Sequence, residues 1–382
     1  MFPRQIESKL LMRAALGLML LGVTGSLQAQ STSAPVGYYK LGAYDGSGNY
    51  LGLLSNSDTL ISVPFTRPPE FVGTVQSVAG NIVTVTGAPG WTTGQFVYGT
   101  TQPKTYYALM GPSASGPANP KEGCLYTVTA NTANTLTLDL NGDTIASLPA
   151  NATLTLLPYW TLATLFPAAN ANISFTPTAS TRTFKTEVLI PNYAQAGINL
   201  AYAATYYFID SGTNIGWRLF GDATTTDHSN DILIPNGYFV VRNSNSAPTL
   251  PLALVGNVLP GKLATPLASL STSAQDNAVA VVRPLDITLN ESGLVPTDGS
   301  FVATTSTRSF KDQLLLYNNV QVALNKSPSA TYYYMNNAWR LFGDATTVDH
   351  GTDLIPAGSA LTIRKASASS PSTVYWLNAP TY

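Results

Sequence analysis

The chain has 382 residues, of which 10% are charged and 45% are hydrophobic, and its formal net charge is −1. This length suits about two or three domains with cores of their own, and the hydrophobic share excludes an intrinsically disordered chain. The weak negative charge excludes the basic surface of a nucleic-acid-binding protein and the polybasic patch of a membrane-surface protein.

The N-terminal residues predict a secretory signal peptide. Arg4, Lys9 and Arg13 form a positive segment, an apolar run covers residues 14–23, and small residues follow at a cleavage site. The apolar run is shorter than the ~20 residues of a membrane-spanning helix, and an uncleaved anchor is the alternative. Removal of residues 1–29 takes away three positive charges and one negative charge. We therefore expect an extracytoplasmic protein that is secreted, periplasmic or on the cell surface, with no membrane span after signal removal.

The mature chain predicts an all-β fold, because short runs of β-branched and aromatic residues alternate with Gly, Pro and Asn turns. Segments 30–72 and 158–250 are predicted to form a first β module, and segment 251–382 a second, related module. Segment 73–157 has its own pattern of short strands and predicts a small β-barrel domain inserted in the first module. The two modules are expected to resemble β-sandwiches or barrels.

The relation between the modules is an internal repeat, which is clearest between Thr181–Arg242 and Thr307–Arg364. The sequence W-R-L-F-G-D-A-T-T occupies residues 217–225 and recurs letter for letter at 339–347. Just before this motif the second copy is four residues shorter, and Asn336-Asn337 stand at the shortened point. A change of length between two strand-like runs is typical of a hairpin loop, so both copies predict a β-hairpin.

The loop after each hairpin concentrates aspartates and contains the two histidines of the chain, and we call residues 221–231 and 343–353 the DH loops. The first contains Asp222, Asp227, His228 and Asp231, and the second contains Asp344, Asp349, His350 and Asp353. Carboxylates are calcium ligands, so the six aspartates are a candidate calcium site, although their spacing is not that of an EF-hand. The alternative is that Asp and His bind local backbone groups in tight turns. The sequence leaves open whether the two loops meet in one shared site.

The sequence predicts no catalytic residue. A Ser-His-Asp hydrolase would need His228 or His350 as its base, and no G-x-S-x-G motif occurs. Glycosidases use two facing carboxylates, and the four glutamates of the mature chain lack a recognisable catalytic context: Glu70, Glu122, Glu187 and Glu291. The single cysteine, Cys124, excludes an intramolecular disulfide and cysteine-based metal sites. We expect no cofactor apart from the candidate calcium ion.

Repeated aromatic residues suggest a binding surface. Trp217 and Trp339, together with His228 and His350, are candidate binding residues, because aromatic ring faces suit stacking on sugars. The alternative is that aromatic residues of a hairpin pack in the core or against the neighbouring strand.

Basic residues also recur at equivalent positions of the two copies. The pairs are Arg182 with Arg308, Lys185 with Lys311, Arg218 with Arg340, and Arg242 with Arg364. In a chain so poor in charge, these residues are predicted to form ion pairs with repeated aspartates such as Asp222 and Asp344. The alternative is recognition of an acidic polymer, which the negative net charge disfavours.

The motif W-R-x-x-G-D, followed by D-H, P-x-G and a strand that ends in Arg, resembles an uncharacterised family of exported bacterial β-proteins. Segments 35–40, 63–68 and 380–382 fit the same family, so the resemblance covers nearly the whole mature chain. It implies an exported β-protein and no particular activity.

Taken together, these features predict a secreted or cell-surface structural or interaction protein without catalytic activity. Its expected partners are other surface or matrix proteins or a polysaccharide. The first alternative is a carbohydrate- or calcium-binding extracellular module, and the second is an unrecognised hydrolase.

Overall fold

The computed structural model describes residues 35–380 except residues 100, 168–174, 180–182 and 213. The predicted signal peptide, and Thr181 and Arg182 at the start of the first repeat, lie outside the described residues. Within the described part of the chain, no helix is long and apolar enough to cross a membrane.

The strands are numbered in chain order, and their bounds follow. The first ten are β1 (Val36–Lys40), β2 (Ala43–Tyr44), β3 (Tyr50–Gly52), β4 (Ser57–Ile61), β5 (Phe71–Ala79), β6 (Ile82–Val85), β7 (Tyr106–Ser113), β8 (Leu125–Asn131), β9 (Thr135–Asp139) and β10 (Ala152–Pro158). The next seven are β11 (Trp160–Thr161), β12 (Thr186–Pro191), β13 (Tyr202–Asp210), β14 (Ile215–Leu219), β15 (Ile232–Leu233), β16 (Phe239–Asn243) and β17 (Ala253–Asn257). The last nine are β18 (Leu263–Ser269), β19 (Gln275–Ala280), β20 (Ile287–Thr288), β21 (Gln313–Leu316), β22 (Ala330–Met335), β23 (Ala338–Leu341), β24 (Leu354–Ile355), β25 (Ala360–Lys365) and β26 (Ser372–Asn378). Two short helices interrupt them, α1 (Leu162–Leu165) and a 3₁₀ helix (Pro296–Asp298).

The predicted all-β fold is confirmed, because the regular secondary structure of the described residues consists almost entirely of these strands. Asn residues at left-handed backbone angles make several of the tight turns between strands. Asn336 and Asn337, with φ of 53° and 57°, form the two-residue turn between β22 and β23, which pair with each other. The predicted hairpin in the second copy is therefore present, and the first copy forms the equivalent pair β13 and β14 with a longer loop.

Six antiparallel strands close into a barrel in the order β10-β5-β6-β9-β8-β7. Alternate side chains point inwards along each strand, and they fill the barrel with apolar residues such as Val75, Met110 and Leu154. Cys124 belongs to this core, and burial raises the pKa of its thiol. The barrel strands lie between residues 71 and 158, close to the predicted inserted segment 73–157, and the predicted division into domains stays a prediction.

Two five-stranded antiparallel sheets have the same strand order. The first sheet is β4-β16-β12-β13-β14, and the second sheet is β19-β25-β21-β22-β23. The register of the hairpins also agrees, since Phe208 lies opposite Trp217 in the first sheet and Tyr334 lies opposite Trp339 in the second. Each sheet packs one face on its own apolar cluster. Repeated residues therefore occupy equivalent positions in the two sheets.

One edge of each sheet is covered by a loop that belongs to the other sheet. At the β4 edge, the Asp58 N–H donates to the Ala323 carbonyl at 2.8 Å, within the connection from β21 to β22. At the β19 edge, the Asp276 N–H donates to the Gly197 carbonyl at 2.9 Å, within the connection from β12 to β13. An uncovered edge strand would offer these groups to another chain. The two sheets thus protect each other's edges reciprocally.

Candidate functional site

The first DH loop lies between the other edge of the first sheet and the segment around α1. The His228 N–H donates to the Trp217 carbonyl of edge strand β14 at 3.0 Å. On the opposite side, the Leu162 and Ala163 N–H groups donate to the carbonyls of Asp231 and Ser229 at 3.2 and 2.9 Å. The loop therefore occupies hydrogen-bonding groups that an edge strand would otherwise expose.

The second DH loop makes the equivalent contacts. The His350 N–H donates to the Trp339 carbonyl of edge strand β23 at 3.0 Å. The Leu289 and Asn290 N–H groups donate to the carbonyls of Asp353 and Gly351 at 3.0 and 2.9 Å. Both DH loops are thus bonded by their backbone on two sides, which is the arrangement of a structural cap.

The side chain of His228 lies between two carboxylates of its own loop. Its Nδ1 lies 2.9 Å from Asp231 Oδ2, and its Nε2 lies 3.0 Å from Asp222 Oδ2. A neutral imidazole can donate from only one nitrogen, whereas an imidazolium donates from both. Two carboxylate partners therefore favour the charged ring, and we call this arrangement the histidine clamp.

The second loop contains the same histidine clamp. His350 Nδ1 lies 2.9 Å from Asp353 Oδ2, and His350 Nε2 lies 3.0 Å from Asp344 Oδ2. The Ala345 N–H also donates to Asp344 Oδ1 at 2.7 Å. That backbone hydrogen bond, with the one from His350, holds the pKa of the exposed Asp344 carboxyl below its usual value.

A tyrosine from the neighbouring strand completes each clamp. The Tyr206 hydroxyl donates to Asp231 Oδ2 at 2.8 Å, and the Tyr332 hydroxyl donates to Asp353 Oδ2 at 2.9 Å. Burial, followed by the hydrogen bond to the aspartate, raises the pKa of Tyr206, so the hydroxyl stays protonated as a donor. Sequence analysis did not single out these hydroxyls, although both tyrosines recur in the repeat.

The clamps make the loops sensitive to pH. Burial alone lowers the pKa of His228, but the hydrogen bonds that the ring donates to Asp231 and Asp222 outweigh it and raise the pKa above the ordinary value of 6.5. The pKa of His350 is raised by the same balance with Asp353 and Asp344. A histidine pKa raised by folding stabilises the fold fully below the unfolded value and loses this contribution as the pH rises through the folded value. The clamps are therefore expected to weaken above pH 6.5.

The third aspartate of each loop does not bind the histidine. Asp227 Oδ1 accepts from the Ser229 hydroxyl at 2.6 Å and from Arg218 Nη1 at 3.3 Å. Asp349 Oδ1 accepts from the Gly351 N–H at 2.9 Å. The serine next to His228 thus donates to an aspartate and not to the imidazole, so this loop does not display the serine–histidine contact of a hydrolase triad.

The candidate calcium ligands are the same six aspartates, Asp222, Asp227, Asp231, Asp344, Asp349 and Asp353. Among the described residues, no group of three or more His, Cys, Asp or Glu side chains is arranged to hold a metal ion. In each loop two of the three carboxylates already bind the histidine ring, so a calcium ion would have to compete with the clamp. The calcium site stays a prediction.

The two tryptophans proposed for ligand binding are core residues. Trp217 and Trp339 are each 1% exposed. Trp217 packs against Phe166, Phe175 and Phe208, with ring centroids 5.2–5.6 Å apart. Their indole faces are not available to an external sugar, so the prediction of a stacking surface at these positions is wrong. The alternating pattern of each hairpin predicts that its tryptophan lies on one face of the sheet. The pattern does not indicate which face packs on the core.

The repeated arginines pair with partners that sequence analysis did not choose. Arg242 makes a bidentate ion pair with Asp58 at 2.7 and 2.8 Å, and Arg364 makes the equivalent pair with Asp276 at 2.7 and 2.9 Å. Each pair joins neighbouring strands at the edge that the other sheet covers. The predicted ion pairs with repeated aspartates are therefore present for these arginines, but the aspartates are Asp58 and Asp276 and not the examples Asp222 and Asp344. Asp58 and Asp276 begin two similar segments, 58–62 and 276–280, but this similarity does not indicate which arginines they bind.

Arg218 and Arg340 lie in the edge strands β14 and β23, and their side chains bind the DH loops. Arg218 Nε donates to the Thr224 carbonyl at 2.6 Å, and Arg340 Nη1 donates to the Val348 carbonyl at 2.6 Å. Both side chains are largely buried. Each arginine thus ties its edge strand to the loop through a carbonyl, and only Arg218 adds an ion pair, with Asp227.

Comparison with known proteins adds no family to these observations. No protein-family model, no curated protein and no solved structure matches the chain. The resemblance to exported bacterial β-proteins therefore stays a prediction.

Proposed function

We propose that this protein is an extracytoplasmic structural or interaction protein without catalytic activity, in which the DH loops cap the sheet edges. The observation that carries the proposal is that the histidine and aspartate side chains of each DH loop bind one another. The chain has two histidines, and each of them binds two aspartates within its own loop. A general base must instead reach a proton on a substrate or nucleophile.

The proposed scaffold role is also supported by the edges of the two sheets. One edge of each is covered by the other sheet's loop, and the opposite edge is covered by a DH loop. Covered edges prevent uncontrolled strand pairing, which matters for a β-protein that works at high local concentration on a surface. Contacts with partners would then be made by side chains on loops and strand faces. The expected partners are surface or matrix proteins or a polysaccharide.

The proposed location depends on the predicted signal peptide and on the composition of the chain. Only 10% of the residues are charged, and the chain is rich in the uncharged polar residues Thr, Asn and Ser. The internal repeat supports a scaffold over a catalyst, because a catalyst needs one active site whereas a scaffold gains from two equivalent modules.

Calcium binding is the alternative that the DH loops suggest, and Asp222→Ala separates it from the capping role. We expect the variant to unfold at a lower temperature than the wild type, because it removes one carboxylate of the histidine clamp. We also expect calcium chloride to leave both melting temperatures unchanged. Circular dichroism with calcium or with EDTA measures both effects, and Asp210→Ala, at the exposed end of β13, is the matched control.

A calcium site would give a different result. The wild-type melting temperature would rise with added calcium by mass action, and Asp222→Ala would abolish that rise. Such a result would contradict the capping role as the main function of the loop aspartates.

A further inference from the structure

A cleft of about 930 Å³ lies where three parts of the fold meet. Its walls come from the barrel around β8 and β9, from the segment 232–237 after the first DH loop, and from strands β18, β19 and β26. Clefts of this size accommodate ligands larger than a single small molecule such as one sugar ring. None of the DH-loop aspartates and neither histidine lines this cleft.

The floor of the cleft is fixed by one carboxylate. Asp143 accepts from Lys121 Nζ at 2.6 Å, from the Tyr126 hydroxyl at 2.7 Å and from the Tyr375 hydroxyl at 2.6 Å. Lys121 and Tyr126 belong to the barrel domain, whereas Tyr375 belongs to β26. Both tyrosines are therefore held in place across the junction. Tyr126 is buried in the barrel core, whereas the half-buried Tyr375 offers a rigid aromatic ring to a ligand.

The charge of the lining selects against anions. Among the described residues that line the cleft, Asp139 and Asp143 are the charged ones, and none is a lysine, arginine or histidine. Lys121 lies beside the floor, but its ammonium group is already paired with Asp143. A phosphorylated or acidic ligand would be repelled here, so the cleft fits an uncharged ligand better than an anionic one.

The rest of the lining combines hydrogen-bonding groups with apolar surface. The side chains of Asn141 and Thr373 are exposed, and that of Asn236 is half-buried on the opposite wall. Ile232 and Ile234 are 37% and 39% exposed beside them. Amides and hydroxyls suit the hydroxyl groups of a sugar, and aliphatic and tyrosine surfaces suit its C–H faces.

A second, smaller pocket borders the cleft. It has a volume of about 300 Å³, and it shares Tyr193, Ile232 and Ile234 with the cleft. Two adjoining cavities with a common wall suit a chain of several units better than a single small ligand.

The β18 edge in the cleft does not suit an extended peptide, which would pair with a free strand edge. Strand β18 pairs with β26 on its other side. Its Ala264 N–H already donates to the Gly123 carbonyl at 2.9 Å, and its Ala268 N–H donates to Asn277 Oδ1 at 2.7 Å. Pro266, between them, has no N–H. The backbone donors that a peptide strand would use are therefore occupied or missing.

We propose that this cleft binds a neutral carbohydrate chain through Asn141, Asn236, Thr373 and the surrounding aliphatic and tyrosine surface. The proposal deepens the interaction role proposed above and rests on it, because it names the class of partner. It also takes up the alternative of a carbohydrate-binding module, but at a site away from Trp217 and Trp339.

The test is isothermal titration of the full mature chain with three neutral hexasaccharides, cellohexaose, chitohexaose and maltohexaose, at up to about 5 mM. We expect at least one of them to bind the wild type. The double variant Asn141→Ala/Thr373→Ala should bind it about tenfold more weakly. Both residues are exposed, so the variant is expected to keep the wild-type melting temperature. Thr129→Ala, at an exposed position of the barrel outside the cleft, should bind like the wild type.

Three results would overturn the carbohydrate proposal: no binding of any of the three sugars, binding that the double variant does not weaken, or stronger binding of an acidic hexagalacturonate. These results would leave the non-catalytic role intact. Cleavage of a bound hexasaccharide, followed by chromatography, would instead contradict the non-catalytic role while keeping the cleft as a sugar site. The failure of one proposal is thus distinguishable from the failure of the other.

Discussion

Asp58→Ala is expected to lower the free energy of unfolding by about 3–5 kcal/mol, the usual cost of removing one partner of a buried ion pair. Asp58 is fully buried, and it accepts two hydrogen bonds from Arg242. It also accepts from the Asn325 N–H at 2.7 Å, in the loop that the second sheet places over β4. The variant therefore leaves a partly buried guanidinium without its anion and loosens the cover of the edge. Urea unfolding followed by tryptophan fluorescence measures the loss.

The second sheet offers a matched comparison for Asp58→Ala. Asp276→Ala should cost a similar amount, because Asp276 pairs with Arg364 and accepts from the Asn199 N–H at 2.7 Å. Asp210→Ala, at an exposed position, should stay within about 0.5 kcal/mol of the wild type. Losses below about 1 kcal/mol for both buried aspartates would mean that these pairs do not hold the sheets together.

Lys365→Asn is the second variant for which we expect a large loss, again about 3–5 kcal/mol. Lys365 forms a buried ion pair with Asp312, and its ammonium group also donates to the Ser300 carbonyl at 2.9 Å. Without the lysine, the Asp312 carboxylate would remain buried without a cation. Urea unfolding of the variant at neutral pH measures the effect.

The first sheet shows how the loss can be recovered. At the positions equivalent to Asp312 and Lys365 it has Thr186 and Asn243, and the Thr186 hydroxyl donates to Asn243 Oδ1 at 2.9 Å. The double variant Asp312→Thr/Lys365→Asn copies this neutral pair into the second sheet. We expect it to be clearly more stable than Lys365→Asn alone, since a buried ion pair replaced as a unit costs little. A double variant as unstable as the single one would show that the two sites are not equivalent.

The sequence predicted the strands and the hairpin because those features depend on local patterns. The Asn336-Asn337 turn follows from the tolerance of asparagine for left-handed backbone angles, which the structure confirms. The burial of Trp217 did not follow, because alternation assigns a side chain to one face of a strand but does not say which face meets the core.

Local sequence patterns did not predict which distant segments pair. Arg242 and Asp58 meet through strands β16 and β4, although they are 184 positions apart in the chain. Neither segment contains a local pattern that predicts the pairing of these two strands. The cleft was missed for the same reason, since Asn141, Asn236 and Thr373 come from three separate segments.

The DH loops were found from their composition, but their chemistry depended on geometry. Aspartates and a histidine in a loop are compatible with a metal site, a catalytic site or a turn. The distances of 2.9 and 3.0 Å from the ring nitrogens of His228 to Asp231 and Asp222 define a clamp. Its repetition around His350 favours a structural role in both loops.

The capping role of the DH loops is tested most directly by hydrogen–deuterium exchange of the wild type and of the double variant His228→Asn/His350→Asn. The capping account predicts faster exchange of the variant in β14, β23 and the DH loops, with the barrel unchanged. It also predicts that these segments of the wild type exchange faster, after correction for intrinsic rates, as the pH rises above 6.5, where the clamps weaken. Unchanged protection of β14 and β23 in the variant at every pH, or protection that appears only when calcium is added, would contradict it.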